Sequence, residues 1–250
     1  MNLVESKEEE MNVLLHGEEI LIDEMLEKCQ SCSIYVANAK ITKETVNVID
    51  LTKTDSIYSS LLINRTGPPL YSKKTTTELI KIYRSEDNNT YDIIKGVLKA
   101  IYDKLLYCVP DIDPEALFIP LDGPSSKHPD YINFSMLNGM ESYSDGQTLL
   151  SFSNYLDLVI PKRYQSNYQK FSFAFECHSV FCYFNGHLNR YSDGFDYLKK
   201  WHGTFHKEME TVTAKVVSKL TLDEFKEIKD RVVAEKYFRS NNGFPELLDW

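Results

Sequence analysis

Phe171-Ser172-Phe173-Ala174-Phe175-Glu176-Cys177-His178-Ser179-Val180-Phe181-Cys182-Tyr183-Phe184-Asn185-Gly186-His187-Leu188-Asn189-Arg190-Tyr191 is the stretch on which the fold turns. Phe171, Phe173 and Phe175 alternate with Ser172, Ala174 and Glu176, the period-2 pattern of a half-buried strand. Asn185-Gly186 is a dipeptide suited to a two-residue hairpin turn. The reading is therefore a hairpin, with one strand running to Phe184 and the return from His187 to Tyr191.

On the N-terminal side, Ser33 to Ala37 and Thr45 to Leu51 are rich in β-branched residues and predict strands, as does Thr76 to Tyr83. Gly67-Pro68-Pro69 marks a turn between the second and third of these. Asp87-Asn88-Asn89-Thr90 caps a helix whose apolar face is Ile94, Val97, Leu98, Ile101, Leu105 and Cys108, ending before Pro110. Leu117 to Leu121 and Tyr131 to Leu137 read as short strands, while Leu149 to Ile160 fits either a strand or a short helix. On the C-terminal side a helix is expected from Phe195 to about Lys215. A last helix follows the capping-box pattern Thr221-Leu222-Asp223-Glu224, with Phe225, Ile228, Val232, Val233 and Tyr237 as its apolar face. Strands in the middle and helices around them define an α+β class: a central, mostly antiparallel sheet with helices at the N-terminus, middle and C-terminus.

The charge is unevenly placed. Residues 1–27 hold nine acids and one base, whereas the rest of the chain holds 28 acids and 27 bases, for a net of −9. Met11, Leu14, Leu15, Leu21, Ile22, Met25, Leu26 and Cys29 recur at helical spacing among these acids. Residues 1–30 are thus expected to form an acidic amphipathic helical segment, and residues 31–250 a single α+β domain. Glu8, Glu9, Glu10, Glu18, Glu19, Asp23, Glu24 and Glu27 form the expected partner-binding face, since localised charge steers a basic partner. The apolar stripe of the same helix offers a route to a homo-oligomer.

Composition excludes several classes. At 250 residues, 42% apolar and 26% charged, the chain can build a full core. No apolar run is long enough to span a membrane, and an acidic start is unlike a secretory signal. A soluble, intracellular, cytoplasmic protein is expected, with its five cysteines reduced. The acidic balance argues against nucleic acid as a partner. No Gly-rich phosphate loop or Ser-His-Asp arrangement is visible.

Two constellations could carry function. Cys177, Cys182, His202 and His206 have pairwise spacings of zinc ligands, and His178, His202, His206 and Glu210 could supply acid–base groups to a zinc-dependent or metal-free hydrolase or transferase centred on residues 177–210. Cys29-Gln30-Ser31-Cys32 could be a redox pair, but a helix C-terminus crowded with glutamate disfavours the thiolate. Tyr143, Tyr155, Tyr164, Tyr168 and Tyr183 lie in polar surroundings suited to a contact surface. The leading expectation is a protein that binds and inhibits a basic protein partner through an acidic, tyrosine-rich surface. In class it would resemble an immunity protein, an antitoxin or a pathogen-encoded inhibitor. It is expected to act as a non-enzyme with no resident cofactor, zinc being the one metal that the alternative reading would need.

Overall fold

The computed structural model describes residues 19–86, 90–102, 110–113, 115–123, 125–152, 156–188, 211–212, 214–215 and 218–242. Its elements, in chain order, are β1 (Glu19–Leu21), α1 (Met25–Cys29), β2 (Ile34–Tyr35), β3 (Thr45–Asp50), β4 (Ser60–Asn64), β5 (Leu70–Ser72), α2 (Thr76–Glu86), α3 (Thr90–Tyr102), β6 (Asp111–Asp113), β7 (Ala116–Pro120), β8 (Tyr131–Asn133), β9 (Leu137–Ser142), β10 (Gln147–Phe152), β11 (Leu156–Pro161), α4 (Tyr164–Leu188) and α5 (Leu222–Asn242). The fold is α+β, built on two sheets rather than one. A seven-stranded sheet has the order β2-β5-β4-β3-β8-β7-β6, and a four-stranded sheet has the order β1-β11-β10-β9. Each is antiparallel except at one end, where β2 runs parallel to β5 and β1 parallel to β11.

The large sheet is covered on both faces, so β3, β4 and β7 are buried almost residue by residue instead of in alternation. On one face Val48, Leu62, Ala116, Phe118 and Tyr131 meet Leu79 and Ile80 of α2. On the other, Ile49, Leu61, Ile63, Leu117 and Ile132 enter a larger core shared with the small sheet and with α3, α4 and α5. Gly67 supplies the expected turn between β4 and β5, with φ +82 in the left-handed region.

The stretch from Phe171 is helical. α4 contacts β6 and β7 of one sheet and β9 and β10 of the other, and Asn185-Gly186 falls in its last turn. Phe171 and Phe175, one helical turn apart, both pack on Phe134, with ring centroids at 5.9 and 6.3 Å. Phe173 points the other way, onto Tyr102 of α3 at 5.3 Å. A helix surrounded by protein needs no polar face. Apolar residues can then occupy its whole circumference, and three alternate phenylalanines mimic a strand. Thr76 to Tyr83 is likewise helix α2. Thr75 and Glu78 form a capping box, Thr75 N–H donating to Glu78 Oε2 at 2.8 Å and Glu78 N–H to Thr75 Oγ1 at 3.3 Å. That box outweighs the strand propensity of the threonines and isoleucines.

Other expectations hold. The apolar face of α3 is buried at Ile94, Val97 and Leu98. The capping box at Thr221 and Glu224 forms, and Phe225 is fully buried against Phe184 at 4.9 Å. Val233, however, is exposed, so the buried stripe of α5 runs through Phe225, Ile228 and Val232. Leu105, Cys108, residues 1–18 and nearly all of the helix expected from Phe195 lie outside the described residues. From Glu19 onward the N-terminal segment belongs to the body. Residues 19–21 are strand, the helix spans only Met25–Cys29, and Ile20, Ile22, Met25 and Cys29 enter the large core. No helix among the described residues is long and apolar enough to cross a membrane.

Gly96 of α3 faces Val232 of α5 across a tight contact. A Cβ there would lie 2.6 Å from Val232 Cγ1. Gly96→Ala gains about 1 kcal/mol of helix propensity, but overpacking of this kind costs about 1–3 kcal/mol. Denaturant titration should therefore show a net loss of stability that disappears in a Val232→Ala background. A more stable Gly96→Ala protein would mean that α5 is not seated against α3 in this way.

Candidate functional site: an acidic groove walled by tyrosines

β2 and β5 pair in parallel with Tyr35 opposite Tyr71, which places both rings at one edge of the large sheet. Tyr58, from the loop between β3 and β4, enters between them. Its ring stacks on Tyr35 at 5.3 Å and on Tyr71 at 4.6 Å, with interplanar angles of 21° and 9°. Lys73 Nζ caps the column 5.9 Å from the Tyr35 centroid. The loop is ordered by its own hydroxyls: Thr54 Oγ1 donates to Leu51 O, Ser56 N–H donates to Thr54 Oγ1, and Tyr58 N–H donates to Ser56 Oγ. Such side-chain turns fix a loop without a sheet ladder.

Beside this column lies a groove of about 540 Å³ lined by Glu27, Gln30, Asp55, Ser56, Ile57, Tyr58 and Tyr71. Among the described residues, two carboxylates and no base line it. Ile57, 79% exposed, forms an apolar lip. Burial pushes the Tyr71 phenol up, against a smaller lowering by its hydrogen bond with Ser33, so the ring stays neutral. The arrangement suits a cationic group carried on an apolar stem, with carboxylates for the charge and ring edges and Ile57 for the stem.

Of the acids expected to bind a partner, Glu27 lines the groove and Glu24 is exposed nearby in sequence. Glu19 is exposed but takes a hydrogen bond from Tyr143, which raises that phenol's pKa. The backbone of Asp23 lies in a short 3-10 turn, and Glu8, Glu9, Glu10 and Glu18 lie outside the described residues. Among the tyrosines singled out from sequence, Tyr164 stacks on the half-exposed Tyr168 at 5.9 Å and Tyr183 packs edge-on against Phe184. Tyr155 falls outside the described residues. Asp55, Ser56, Ile57, Tyr58 and Tyr71, which line the groove, form no recognisable local sequence motif.

The cluster at 177–210 is described only at its start. His178 is fully buried on α4, and its Nε2 lies 2.8 Å from the carbonyl of Asp113. A carbonyl can only accept, so Nε2 carries the proton. Burial pulls the imidazole down to about 4, partly offset by that hydrogen bond, and the ring is neutral at pH 7. Cys182 Sγ lies 3.6 Å from the same nitrogen, one turn along, and burial raises its pKa well above the ordinary thiol value. Cys177 is also buried, and five helical positions separate it from Cys182, so the two sulfurs leave the helix in different directions. His202, His206 and Glu210 lie outside the described residues. Among the described residues, no group of three or more histidines, cysteines or acids is placed to hold a metal.

Cys29 and Cys32 are buried thiols outside any disulfide. The hydrogen-bonded Cys32 thiol, and then burial, raise the pKa of Cys29 far above that of a reactive cysteine. The fold and groove define the class: an α+β protein of two packed sheets with an acidic, tyrosine-walled groove at the edge of the larger one. No protein-family model, no curated protein and no solved structure matches the chain.

Proposed function

We propose that this protein acts by occupancy, binding a basic segment of a partner protein in the groove beside the Tyr35–Tyr58–Tyr71 column. The observation that carries this reading is the pairing of two carboxylates, Glu27 and Asp55, with a wall of rings already stacked before any ligand arrives. A preorganised aromatic wall avoids the ordering cost that weakens flexible binding sites. Carboxylates at the mouth raise the encounter rate with a cation and select against acidic competitors. The net charge of −9 acts in the same direction at longer range. An inhibitor or immunity-type protein of the cell interior would work in this way, using neither metal nor cofactor.

The test is equilibrium binding of labelled short peptides that differ only in one central residue: arginine, lysine, glutamine or glutamate. The arginine and lysine peptides should bind, and increasing salt should weaken them. Asp55→Lys and Tyr58→Ala should each reduce affinity by about tenfold or more, corresponding to about 1.4 kcal/mol. Equal binding of the glutamate peptide, or binding insensitive to both substitutions, would remove the reading.

A further inference from the structure

We propose that Met25, Cys29 and Cys32 form a buried three-sulfur site for a soft monovalent metal ion, copper(I). The inference rests on sulfur geometry and stands whether or not the groove takes a basic segment. Met25 and Cys29 are four residues apart on α1, so their side chains share one helix face. The Cys29 thiol donates to Met25 Sδ at 3.6 Å. The chain then turns back over the end of the helix. Cys29 O accepts from Ser33 N–H at 3.0 Å, from Ser33 Oγ at 2.7 Å and from Cys32 Sγ at 3.5 Å. That turn brings the Cys32 thiol into hydrogen-bonding contact with Cys29. All three sulfur-bearing side chains are completely buried.

Metal–sulfur bonds of about 2.3 Å at trigonal or tetrahedral angles place neighbouring sulfurs about 3.8–4.0 Å apart. The observed Met25–Cys29 separation is within a few tenths of an ångström of that distance, so this pair is spaced to share one metal ion. The donor set selects the metal. Two thiolates and a thioether are soft ligands, which favour copper(I). Zinc takes four donors of the Cys, His or carboxylate type, and no third such residue converges here among the described residues. Binding is a ligand exchange without electron transfer. Copper(I) forms bonds to the two cysteine sulfurs and the thioether, and the two S–H protons leave to solvent. The bound site carries a net charge of −1. Glu27 and Gln30, on the same turn, line the acidic groove above, which gives a cation its approach. Tyr71 lines that groove and is near enough to both thiols to interact with them electrostatically.

The experiment is anaerobic titration of the reduced full-length protein with copper(I) against a colorimetric copper(I) chelator, followed by X-ray absorption of the loaded protein. The expected result is one copper retained per chain in a three-coordinate, all-sulfur shell, together with a higher thermal midpoint. Met25→Leu keeps the volume of the side chain and should lower copper affinity at least tenfold with an unchanged circular dichroism spectrum. Cys32→Ser should abolish retention, while Cys177→Ser and Cys182→Ser should not. Failure of the folded wild-type protein to compete with the chelator would overturn the site. So would nitrogen or oxygen in the metal shell, or retention unaffected by Met25→Leu and Cys32→Ser. The peptide-binding assay on Met25→Leu reports separately on the groove.

Discussion

Arg84→Ala should cost about 3–5 kcal/mol, the penalty of leaving a buried charge without its partner. Arg84 lies on α2 and reaches Asp111 at the start of β6, its Nε and Nη2 donating to the two carboxylate oxygens, the second at 2.8 Å. Asp111 is only 3% exposed. Tyr91 of α3 lies against the other side of the guanidinium, its ring centroid 3.6 Å from Cζ. One side chain therefore ties α2, on one face of the large sheet, to the sheet's edge strand and to a helix of the main core. Removing it strands the carboxylate and empties the face of Tyr91. The check is a urea midpoint for Arg84→Ala beside the double variant Arg84→Met/Asp111→Leu. The double variant should lose much less, because it leaves no charge uncompensated. A single variant within about 0.5 kcal/mol of wild type would show that water reaches the carboxylate.

Acidification should expose two opposing terms. His178, held down to about 4 in the fold against 6.5 for an unperturbed ring, takes up its proton in the unfolded chain first. It therefore withdraws stability as pH falls from about 6.5 to 4, by about 3 kcal/mol in all. Asp130 does the reverse. Burial pushes its carboxyl up to about 7; the Asp50 N–H, donating at 2.6 Å, lowers it, and the Asp122 and Asp50 carboxylates raise it further. The fold binds that proton before the unfolded chain does, so this group adds about 4 kcal/mol as pH falls from about 7 to 4. The two nearly cancel in the wild-type protein. His178→Gln, which retains a donor for the Asp113 carbonyl, should become more stable on acidification across this range, and Asp130→Asn should become less stable. Parallel pH profiles for the two variants would contradict the burial assigned to one of these groups.

Much of the secondary structure is legible in the chain because local physics suffices for it. Ile94, Val97 and Leu98 lie on one face of any helix that contains them, and Thr221 with Glu224 caps whatever helix follows. Thr45 to Asp50 is strand-prone on both faces. The misreadings have two causes: at Thr76 to Tyr83 a capping box outweighs strand propensity, and at α4 the pattern itself is missing. Phe171, Phe173 and Phe175 carry no stripe because α4 from Phe171 to Asn185 has no exposed position, with Phe134 on one face and Tyr102 on another. Periodicity reports a boundary between core and water, and a helix without that boundary has no period to read. The groove was illegible for a different reason. Tyr35, Tyr58 and Tyr71 are far apart in sequence, and they stack only because β2 pairs with β5 and the β3–β4 loop inserts Tyr58.

The sequence by itself determined the α+β class, several element positions, the charge asymmetry and the presence of a Cys-x-x-Cys after an acidic run, because each depends on residues a few positions apart. Only the tertiary structure decided that β1 and α1 belong to the body, that His178 is a buried neutral ring, and that Glu27 and Asp55 share one groove with three stacked tyrosines. It also decided that the Cys29 thiol meets Met25 Sδ in the core. Each of these depends on burial or on contacts between distant segments, which no short stretch of sequence encodes.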